Sequence, residues 1–367
     1  MGLAHLFAVS GLADGYRLVG VCDVDSDACG RAATDFGAEA YSSLDALLDA
    51  GVADAVVLAV PPSHHAAMTR RCLEAGLHVY CEKPLAPTVR ECEELAEAAA
   101  RAGRVVQVGC QHRFQRSYVA AKALLAEGAI GEVFRASLVA TNWFRPQAYF
   151  DARPWRGAWA TVGGGVLLSQ AIHQVDAFLW LVGLPTRLTA EAWRTLHAVE
   201  VEDEVTAIMR LSNDGRATLV ASTVDPVGTN RIELHGDAGT LVLDGFGLRV
   251  GGFDGPATLL CAESRDEFPK VAVEWEDRVV ARPGGDEWYD LVVDCHRDFV
   301  VAIREHRAPR TPPAEAAKAV ELANAVYLSA VRGRPVDLPL DRDAYDEVYA
   351  QLCDGRAVVP QIGNTPV

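Results

Sequence analysis

Two apolar runs separated by a helix-like segment constrain the first part of this chain most strongly. The runs are Ala53–Val60 and Leu77–Tyr80, and the segment between them is His64–Ala75. This order predicts a strand, a helix and a second strand, the unit from which open parallel sheets are built. Ligands bind to such sheets outside the carboxyl ends of the strands. The charged pair Glu82 and Lys83 follows the second run and is therefore placed for chemistry.

The composition fits an enzyme with two domains. The chain has 367 residues, and single hydrophobic cores stop growing near about 250 to 300 residues. The net charge of −16 argues against nucleic acid or an anionic membrane as a partner, because both need a basic surface. No apolar run approaches the roughly 20 residues of a membrane span. The nine cysteines include no CxxC pair, so we expect a cytoplasmic protein without a metal site.

The run Ala59–Ala86, AVPPSHHAAMTRRCLEAGLHVYCEKPLA, closely resembles the signature of the Gfo/Idh/MocA family, named after glucose-fructose oxidoreductase, inositol dehydrogenase and a rhizopine-catabolism protein. An isolated EKP tripeptide is more often a solvated surface pair. The resemblance implies instead that Lys83 is catalytic and that its bond to Pro84 is cis. It also implies a set of cofactor contacts around the nicotinamide, namely Pro61, His65, Glu82 and Lys83.

The resemblance also implies the fold. Residues 1–112 are expected to form an α/β Rossmann domain that binds NAD(P). Residues 113–367 are expected to form an α+β domain with a large, mostly antiparallel open sheet that binds substrate. Strand candidates such as Val201–Leu211 and Arg216–Val224 partly alternate in polarity, which predicts one covered face and one open face. The family uses the open face to oligomerise, so a homo-oligomer formed through the C-terminal sheet is expected.

The beginning of the chain departs from the family pattern. Met1–His5 reads as part of a helix, and the first strand candidate is Arg17–Cys22. The strand and the GxGxxG turn that normally open a dinucleotide-binding domain are absent. By alignment Gly2 is the last glycine of that turn, so we expect the sequence to start late or to be truncated, and to bind cofactor weakly as given.

The acid at the end of the first strand candidate predicts the cofactor. Asp23 follows Val19–Cys22, and an acid there accepts hydrogen bonds from the ribose 2′-OH and repels a 2′-phosphate. Alone, such an aspartate would more often be a helix cap. With the family register it predicts NAD, with NADP less favoured. The same register places Gln111 among the cofactor contacts and Arg113 among the substrate contacts.

The segment Asn142–Trp159 is dense in tryptophan, phenylalanine, tyrosine and arginine. Any one of these aromatic residues could equally be a core residue. As a group, planar rings with interspersed arginines suit a polyhydroxylated ring, which stacks on them while its hydroxyls bond to polar groups. Tyr149, Trp155 and Arg156 are the predicted substrate contacts, and the predicted substrate is a sugar, inositol or sugar acid.

A glycine triplet opens the second family motif, Gly163–Asp176. The apolar spacing from Val166 through Trp180 predicts a single helix with Ser169 and His173 on one face. A lone buried histidine is more often a core residue. The whole motif, however, matches the family, which implies that His173 is the general acid/base.

Neighbours of that histidine complete the predicted site. Ser169 and Gln170 are expected to contact substrate, and Asp176 to orient the helix or the imidazole rather than to react. Inositol dehydrogenase-like members carry an aspartate where this chain has Ser169. A hydroxyl cannot polarise a sugar hydroxyl as an acid does, which leaves the substrate class open.

These features predict a dehydrogenase that transfers hydride between nicotinamide and a secondary alcohol or ketone of a sugar, inositol or related polyol. His173 would take the hydroxyl proton, and Lys83 would stabilise the developing alkoxide. One alternative is a non-catalytic sensor or regulatory protein that binds NAD and a sugar. Another is an enzyme of the same fold that acts on an imine or a tetrapyrrole-like compound.

Overall fold

The computed structural model describes residues 1–280 and 287–361. They belong to two compact units. The first unit comprises Met1–Gln111 and a later segment that ends at Ala317, and the second unit starts at His112. This first segment ends one residue before the predicted boundary at residue 112. The chain later returns to the first unit, where the helix Glu287–Arg304 packs against the helix Gly2–Gly11.

Short parallel strands alternate with helices in the first unit, as expected for a Rossmann domain. In chain order the elements are α1 (Gly2–Gly11), β1 (Gly20–Cys22), α2 (Ser26–Phe36), β2 (Glu39–Tyr41), α3 (Leu44–Ala50), β3 (Ala55–Leu58), α4 (Pro62–Glu74), β4 (His78–Cys81), α5 (Val89–Ala102) and β5 (Val106–Val108). In the described residues β1 and β2 form one parallel sheet, and β3, β4 and β5 form another. The predicted strand, helix and strand are β3, α4 and β4.

Local signals at the helix ends explain these bounds. The Thr88 hydroxyl accepts a hydrogen bond from the Glu91 N–H, and the Glu91 carboxylate accepts one from the Thr88 N–H. This capping box starts α5, and Gly103 ends it in the left-handed conformation, with φ of 61°. Helix α4 begins two residues earlier than its polarity pattern predicts, because Pro62 suits the first helical turn.

The second unit starts with a short 3-10 helix that overlaps the boundary, Gln111–Phe114, and contains most of the remaining elements. They are α6 (Arg116–Ala126), β6 (Val133–Ala140), α7 (Gln147–Asp151), a 3-10 turn (Pro154–Gly157), α8 (Trp159–Val162), a π-helical turn (Val166–Gln170), α9 (Ile172–Val182), β7 (Arg187–Trp193), β8 (Glu204–Arg210), β9 (Arg216–Ser222), β10 (Asn230–Gly236), β11 (Gly239–Asp244), β12 (Gly247–Gly252), α10 (Ala257–Glu263) and β13 (Glu274–Val279). The chain then forms α11 (Glu287–Arg304), α12 (Pro313–Arg332), β14 (Val336–Asp337) and α13 (Arg342–Cys353).

A nine-stranded sheet dominates the described part of the second unit. Its order is β13-β12-β11-β10-β6-β9-β8-β7-β14, and its neighbours are antiparallel except for the parallel pair β6 and β9. Along β8 the side chains of Val205, Ala207 and Met209 are buried, whereas Ile208 between them is 61% exposed. The predicted large, mostly antiparallel sheet with one covered face is confirmed.

The helix predicted from Val166 through Trp180 is broken. Val166–Gln170 forms a π-helical turn, and α9 starts only at Ile172. The prediction of one continuous helix with Ser169 and His173 on a single face is therefore wrong. Among the described residues no single helix is both long and apolar enough to cross a membrane. The segments Trp159–Gln170 and Ile172–Val182 meet that measure only as a pair, bent by 61°.

Candidate functional site

The loop after β4 contains the Glu82, Lys83 and Pro84 motif. The peptide bond between Lys83 and Pro84 is cis, as the resemblance implies. Glu82 is 6% exposed, and its Oε2 accepts a hydrogen bond from the Lys83 backbone N–H at 3.2 Å. The Lys83 side chain is half-buried. The carboxylate thus fixes the peptide that carries the lysine.

His65 supports this loop from α4. Its Nδ1 lies 2.6 Å from the Pro84 carbonyl oxygen and its Nε2 lies 2.8 Å from the Val60 carbonyl oxygen. Burial lowers the pKa of His65, although the hydrogen bonds to the two carbonyl oxygens act in the opposite direction. The ring is 1% exposed and both nitrogens face carbonyl oxygens, whereas its contact with the cofactor stays a prediction. His65 positions the loop.

A buried chain of hydrogen bonds extends from Glu82 through two histidines. His5 Nε2 lies 2.9 Å from Glu82 Oε1, and His5 Nδ1 lies 2.9 Å from His296 Nε2. The hydroxyl of Tyr16 lies 3.0 Å from His296 Nδ1. These contacts join Glu82, His5, His296 and Tyr16 into one buried network. Burial alone would raise the pKa of Glu82, but the hydrogen bond from His5 and the charges of His5 and Lys83 outweigh it and hold the pKa below its usual value.

His296 is expected to make the stability of the protein fall as pH falls. Burial, with a smaller contribution from the neighbouring His5, lowers its pKa from 6.5 to about 3. The unfolded chain therefore binds more protons between these values, and the free energy of unfolding decreases as pH falls through this range. His296→Phe keeps a ring beside Tyr80, whose own ring stacks on His296 at 4.6 Å. Denaturation midpoints measured from about pH 7 to about pH 4 should vary less in this variant.

The control for this prediction is His64→Gln, which changes an exposed histidine on α4. It should retain the wild-type pH dependence. Equal pH dependence in His296→Phe and in the wild type would show that His296 is not the group that loses stability in acid.

The remaining cofactor residues of the first unit fit a dinucleotide. The N-terminus of α1 has no side-chain cap and no acid in its first turn, so its N–H groups suit a phosphate. Gly2 is exposed there, and a Cβ on it would contact nothing within 4 Å. Asp23 is exposed directly after β1 and accepts a hydrogen bond from the Asp25 N–H through Oδ1. Pro61 precedes α4, and Gln111 is buried at the start of the 3-10 helix.

His173 lies in the first turn of α9 in the second unit. It is 6% exposed, and its ring centroid lies 5.3 Å from that of His112. The Ser169 hydroxyl, on the preceding π-helical turn, donates a hydrogen bond to the Gly165 carbonyl oxygen at 2.6 Å. The break in the helix therefore separates the serine from the regular turn that contains His173.

Arg113 is part of a buried ion pair. Its Nε and one terminal nitrogen donate to the two carboxylate oxygens of Asp176, each at 2.8 Å. The side chains are 2% and 1% exposed. This bidentate geometry directs the guanidinium at Asp176, and the contact of Arg113 with substrate stays a prediction. Asp176 ties α9 to the 3-10 helix, in keeping with its predicted orienting role.

The predicted substrate residues of the aromatic segment come together around one tyrosine. The Arg156 guanidinium carbon lies 4.0 Å from the centre of the Tyr149 ring and 5.7 Å from that of Trp155. Arg145, which the sequence analysis does not single out, lies 5.2 Å from the Tyr149 ring. Gln170 joins them, because it accepts a hydrogen bond from Arg145 and donates one to the Tyr149 hydroxyl, at 2.7 and 2.9 Å. We call this group the arginine–tyrosine cluster.

A buried acid that the sequence analysis misses organises the glycine triplet. Glu202 accepts hydrogen bonds from the N–H groups of Gly165 and Leu167 and from the Tyr327 hydroxyl, at 2.7, 3.1 and 2.8 Å. A Cβ on Gly165 would lie 1.7 Å from the Glu202 carbonyl oxygen, so glycine is required there. Burial raises the pKa of Glu202 to about 7, against these donors, which favour the ionised form.

A second buried pair, His197 and Asp203, is also not revealed by the sequence. His197 pairs with Asp203 at 2.9 Å and reaches the Arg145 carbonyl oxygen at 2.7 Å. No local pattern reveals such partners, because polar residues on strands and loops are common. Among the buried partners described above, only His5 lies in a segment that the sequence marks, because the first residue of its helix aligns with the cofactor turn.

Comparison with known proteins identifies both units. Residues 1–110 match the family model of the NAD-binding Rossmann fold of the oxidoreductase family, and residues 118–242 match that of the GFO/IDH/MocA C-terminal domain. D-apiose dehydrogenase from Paraburkholderia graminis is 29% identical, with 89% of this chain and 84% of that protein covered. Inositol 2-dehydrogenase 1 from Saccharopolyspora erythraea is 33% identical, with 74% and 79% covered.

A solved structure agrees with these matches. The WlbA dehydrogenase from Bordetella pertussis, in complex with NADH and UDP-GlcNAcA, is 26% identical, covers 93% of this chain and 96% of its own, and has a TM-score of 0.78. The similarity extends over both units. The chain belongs to the Gfo/Idh/MocA family of NAD-binding oxidoreductases.

Proposed function

We propose that the protein is an NAD-dependent dehydrogenase that acts on a secondary alcohol of a sugar or polyol. The observation that carries the proposal is the Lys83 loop, in which a buried carboxylate holds the lysine peptide and His65 holds the carbonyl of the cis-proline. Relatives named for dehydrogenation of inositol and apiose support the substrate class.

The cofactor residues proposed for this activity are those of the first unit. Asp23 would accept hydrogen bonds from the ribose, and the uncapped N-terminus of α1 at Gly2 would bind phosphate. Pro61, Glu82, Lys83 and Gln111 would lie along the nicotinamide end. When bound, the nicotinamide supplies the hydride acceptor.

His173 and Lys83 would divide the remaining work. Removing hydride from a carbinol carbon requires loss of the hydroxyl proton, and the neutral imidazole of His173 would accept it. As the proton leaves, negative charge develops on the oxygen, and the Lys83 ammonium would stabilise it. Ser169, with Gln170 and the rest of the arginine–tyrosine cluster, would orient the ring.

The experiment is a substrate screen with the full chain and NAD. We expect reduction of NAD, followed by nicotinamide absorbance, with at least one member of a panel of myo-inositol, D-apiose, levoglucosan, common aldoses and their acids. NADH binding is measured in parallel by fluorescence titration. Tight NADH binding without turnover of any panel member, in either direction, would contradict the proposal and favour a non-catalytic binding protein.

A further inference from the structure

We infer that the arginine–tyrosine cluster binds an anionic group of the substrate, so that the sugar or polyol is an acidic or phosphorylated one. This inference rests on the proposed function, and it adds a chemical class that the activity alone does not fix. Carboxylate and phosphate would be recognised in the same way. Both are anionic groups, one planar and one tetrahedral, whose oxygens accept several charge-assisted hydrogen bonds.

Two positive charges are gathered around one tyrosine ring in a strongly acidic protein. The guanidinium groups of Arg145 and Arg156 lie 5.2 and 4.0 Å from the Tyr149 ring centre, and the chain has a net charge of −16. Both side chains are half-buried. The two positive charges repel one another, and partial burial weakens the screening of that repulsion by water. An anion bound beside them would offset that cost.

No acid of the described residues forms an ion pair with either arginine. Arg145 donates to the Phe144 carbonyl oxygen and to Gln170, and Arg156 donates to the Tyr149 carbonyl oxygen. Three acids of the same unit have other partners: Asp151 accepts from Gln147, Asp203 pairs with His197, and Glu202 accepts from the glycine triplet. Buried Arg113, in contrast, has its own carboxylate.

The remaining polar atoms of the cluster are hydrogen-bond donors. The Tyr149 hydroxyl accepts from Gln170 Nε2, so its own proton is available to another acceptor. The indole Nε1 of Trp143 is buried without a hydrogen-bond partner among the described residues, and its ring lies 5.5 Å from the Arg145 guanidinium carbon. A guanidinium has five donors. A ligand that complements this set must supply acceptors.

A hydrogen bond at the Arg145 backbone holds the cluster in place, and Gln170 links it along the chain to the proposed base. His197 lies 2.7 Å from the Arg145 carbonyl oxygen. Burial alone would lower the pKa of His197, but its hydrogen bonds to Asp203 and to that carbonyl raise it, which favours the imidazolium that can donate to both. Gln170, which bonds to Arg145 and Tyr149, precedes His173 by three residues. Preorganised donors joined to the segment that leads into His173 can orient an anionic substrate for proton removal.

The test compares three sugars that differ only at one carbon: D-glucose, D-glucuronate and D-glucose 6-phosphate. NAD reduction is measured for the wild type, Arg145→Gln, Arg156→Gln and the control Arg153→Gln, an exposed arginine of the same segment. We expect the wild type to prefer one of the anions, and each cluster variant to lower kcat/KM for that anion by about 10- to 100-fold. The loss of kcat/KM on glucose in the same variants should be at least about tenfold smaller than the loss on the anion, and Arg153→Gln should behave as the wild type.

Outcomes separate this inference from the proposed function. The anionic subsite would be overturned if the wild type oxidised glucose as efficiently as both anions. It would also be overturned if the variants lost kcat/KM equally on glucose and on the anions. In both cases the proposed dehydrogenase function would stand. If none of the three is oxidised, calorimetric binding to the NADH complex decides. Binding of glucuronate or the phosphate, but not of glucose, that is lost in Arg145→Gln and Arg156→Gln supports the subsite. Equal or absent binding of all three overturns it.

Discussion

Replacing His173 with asparagine should lower kcat by about 10²- to 10⁴-fold, the usual contribution of a general acid or base. Asparagine keeps a polar side chain in the first turn of α9, but it cannot accept the hydroxyl proton. Lys83→Met should lower kcat by about 10²- to 10³-fold, because the proposed stabilisation of the developing oxyanion by the Lys83 ammonium is lost. Both variants should bind NADH nearly as tightly as the wild type, as fluorescence titration would measure.

Two matched controls make this expectation specific. His306→Asn changes an exposed histidine with φ of 53°, a conformation that asparagine tolerates well. Lys270→Met removes an exposed ammonium group. Both should retain full activity. Wild-type turnover in either His173→Asn or Lys83→Met would exclude the corresponding side chain from the chemical step.

Breaking the buried ion pair between Arg113 and Asp176 should lower the free energy of unfolding more than breaking a solvent-exposed ion pair does. Asp176→Asn leaves the Arg113 guanidinium buried without a negative partner, which typically costs about 3 to 5 kcal/mol of unfolding free energy. The pair joins α9 to the 3-10 helix within the second unit, so the loss should appear in the unfolding of that unit. Urea denaturation followed by near-ultraviolet circular dichroism measures it.

The matched control is a solvent-exposed ion pair of the same unit. Arg187 and Asp337 lie 3.1 Å apart, with side chains 51% and 74% exposed. Such pairs contribute at most about 1 kcal/mol, so Asp337→Asn should shift the denaturation midpoint little. Comparable shifts of the denaturation midpoint in Asp176→Asn and Asp337→Asn would mean that burial does not determine how much the Arg113–Asp176 pair contributes to stability.

Contiguous motifs made most of the fold predictable. Strand polarity along β8 and β9 indicates a sheet with one covered face, and the capping signals at Thr88 and Gly103 set the bounds of α5 closely. The Lys83 loop and His173 both lie in stretches whose neighbours match one family. In each case the information lies within a few residues of the feature that it predicts.

Features decided by distant partners were not predictable. The periodicity from Val166 predicts a helix, but Glu202, more than thirty residues later in the chain, binds the N–H groups at its start. The structure has a π-helical turn and a bend there instead. The sequence does not reveal that Arg113 pairs with Asp176, 63 positions away. The sequence alone does not mark Arg145 as a site residue. Its place in the cluster is seen only in the structure, where Arg145 and Arg156 contact the same Tyr149 ring.

The return of α11 to the first unit affects how that unit can be made. His5 and His296 are separated by 291 positions, and Gln107 donates to the Cys295 carbonyl oxygen across 188 positions. A ribosome therefore releases nearly three hundred residues before the partners of His5 and Gln107 exist, and the nascent first unit must wait for them. A fragment cut after Gln111 would expose the surface that α11 covers, so an isolated cofactor domain would have to include α11 as well.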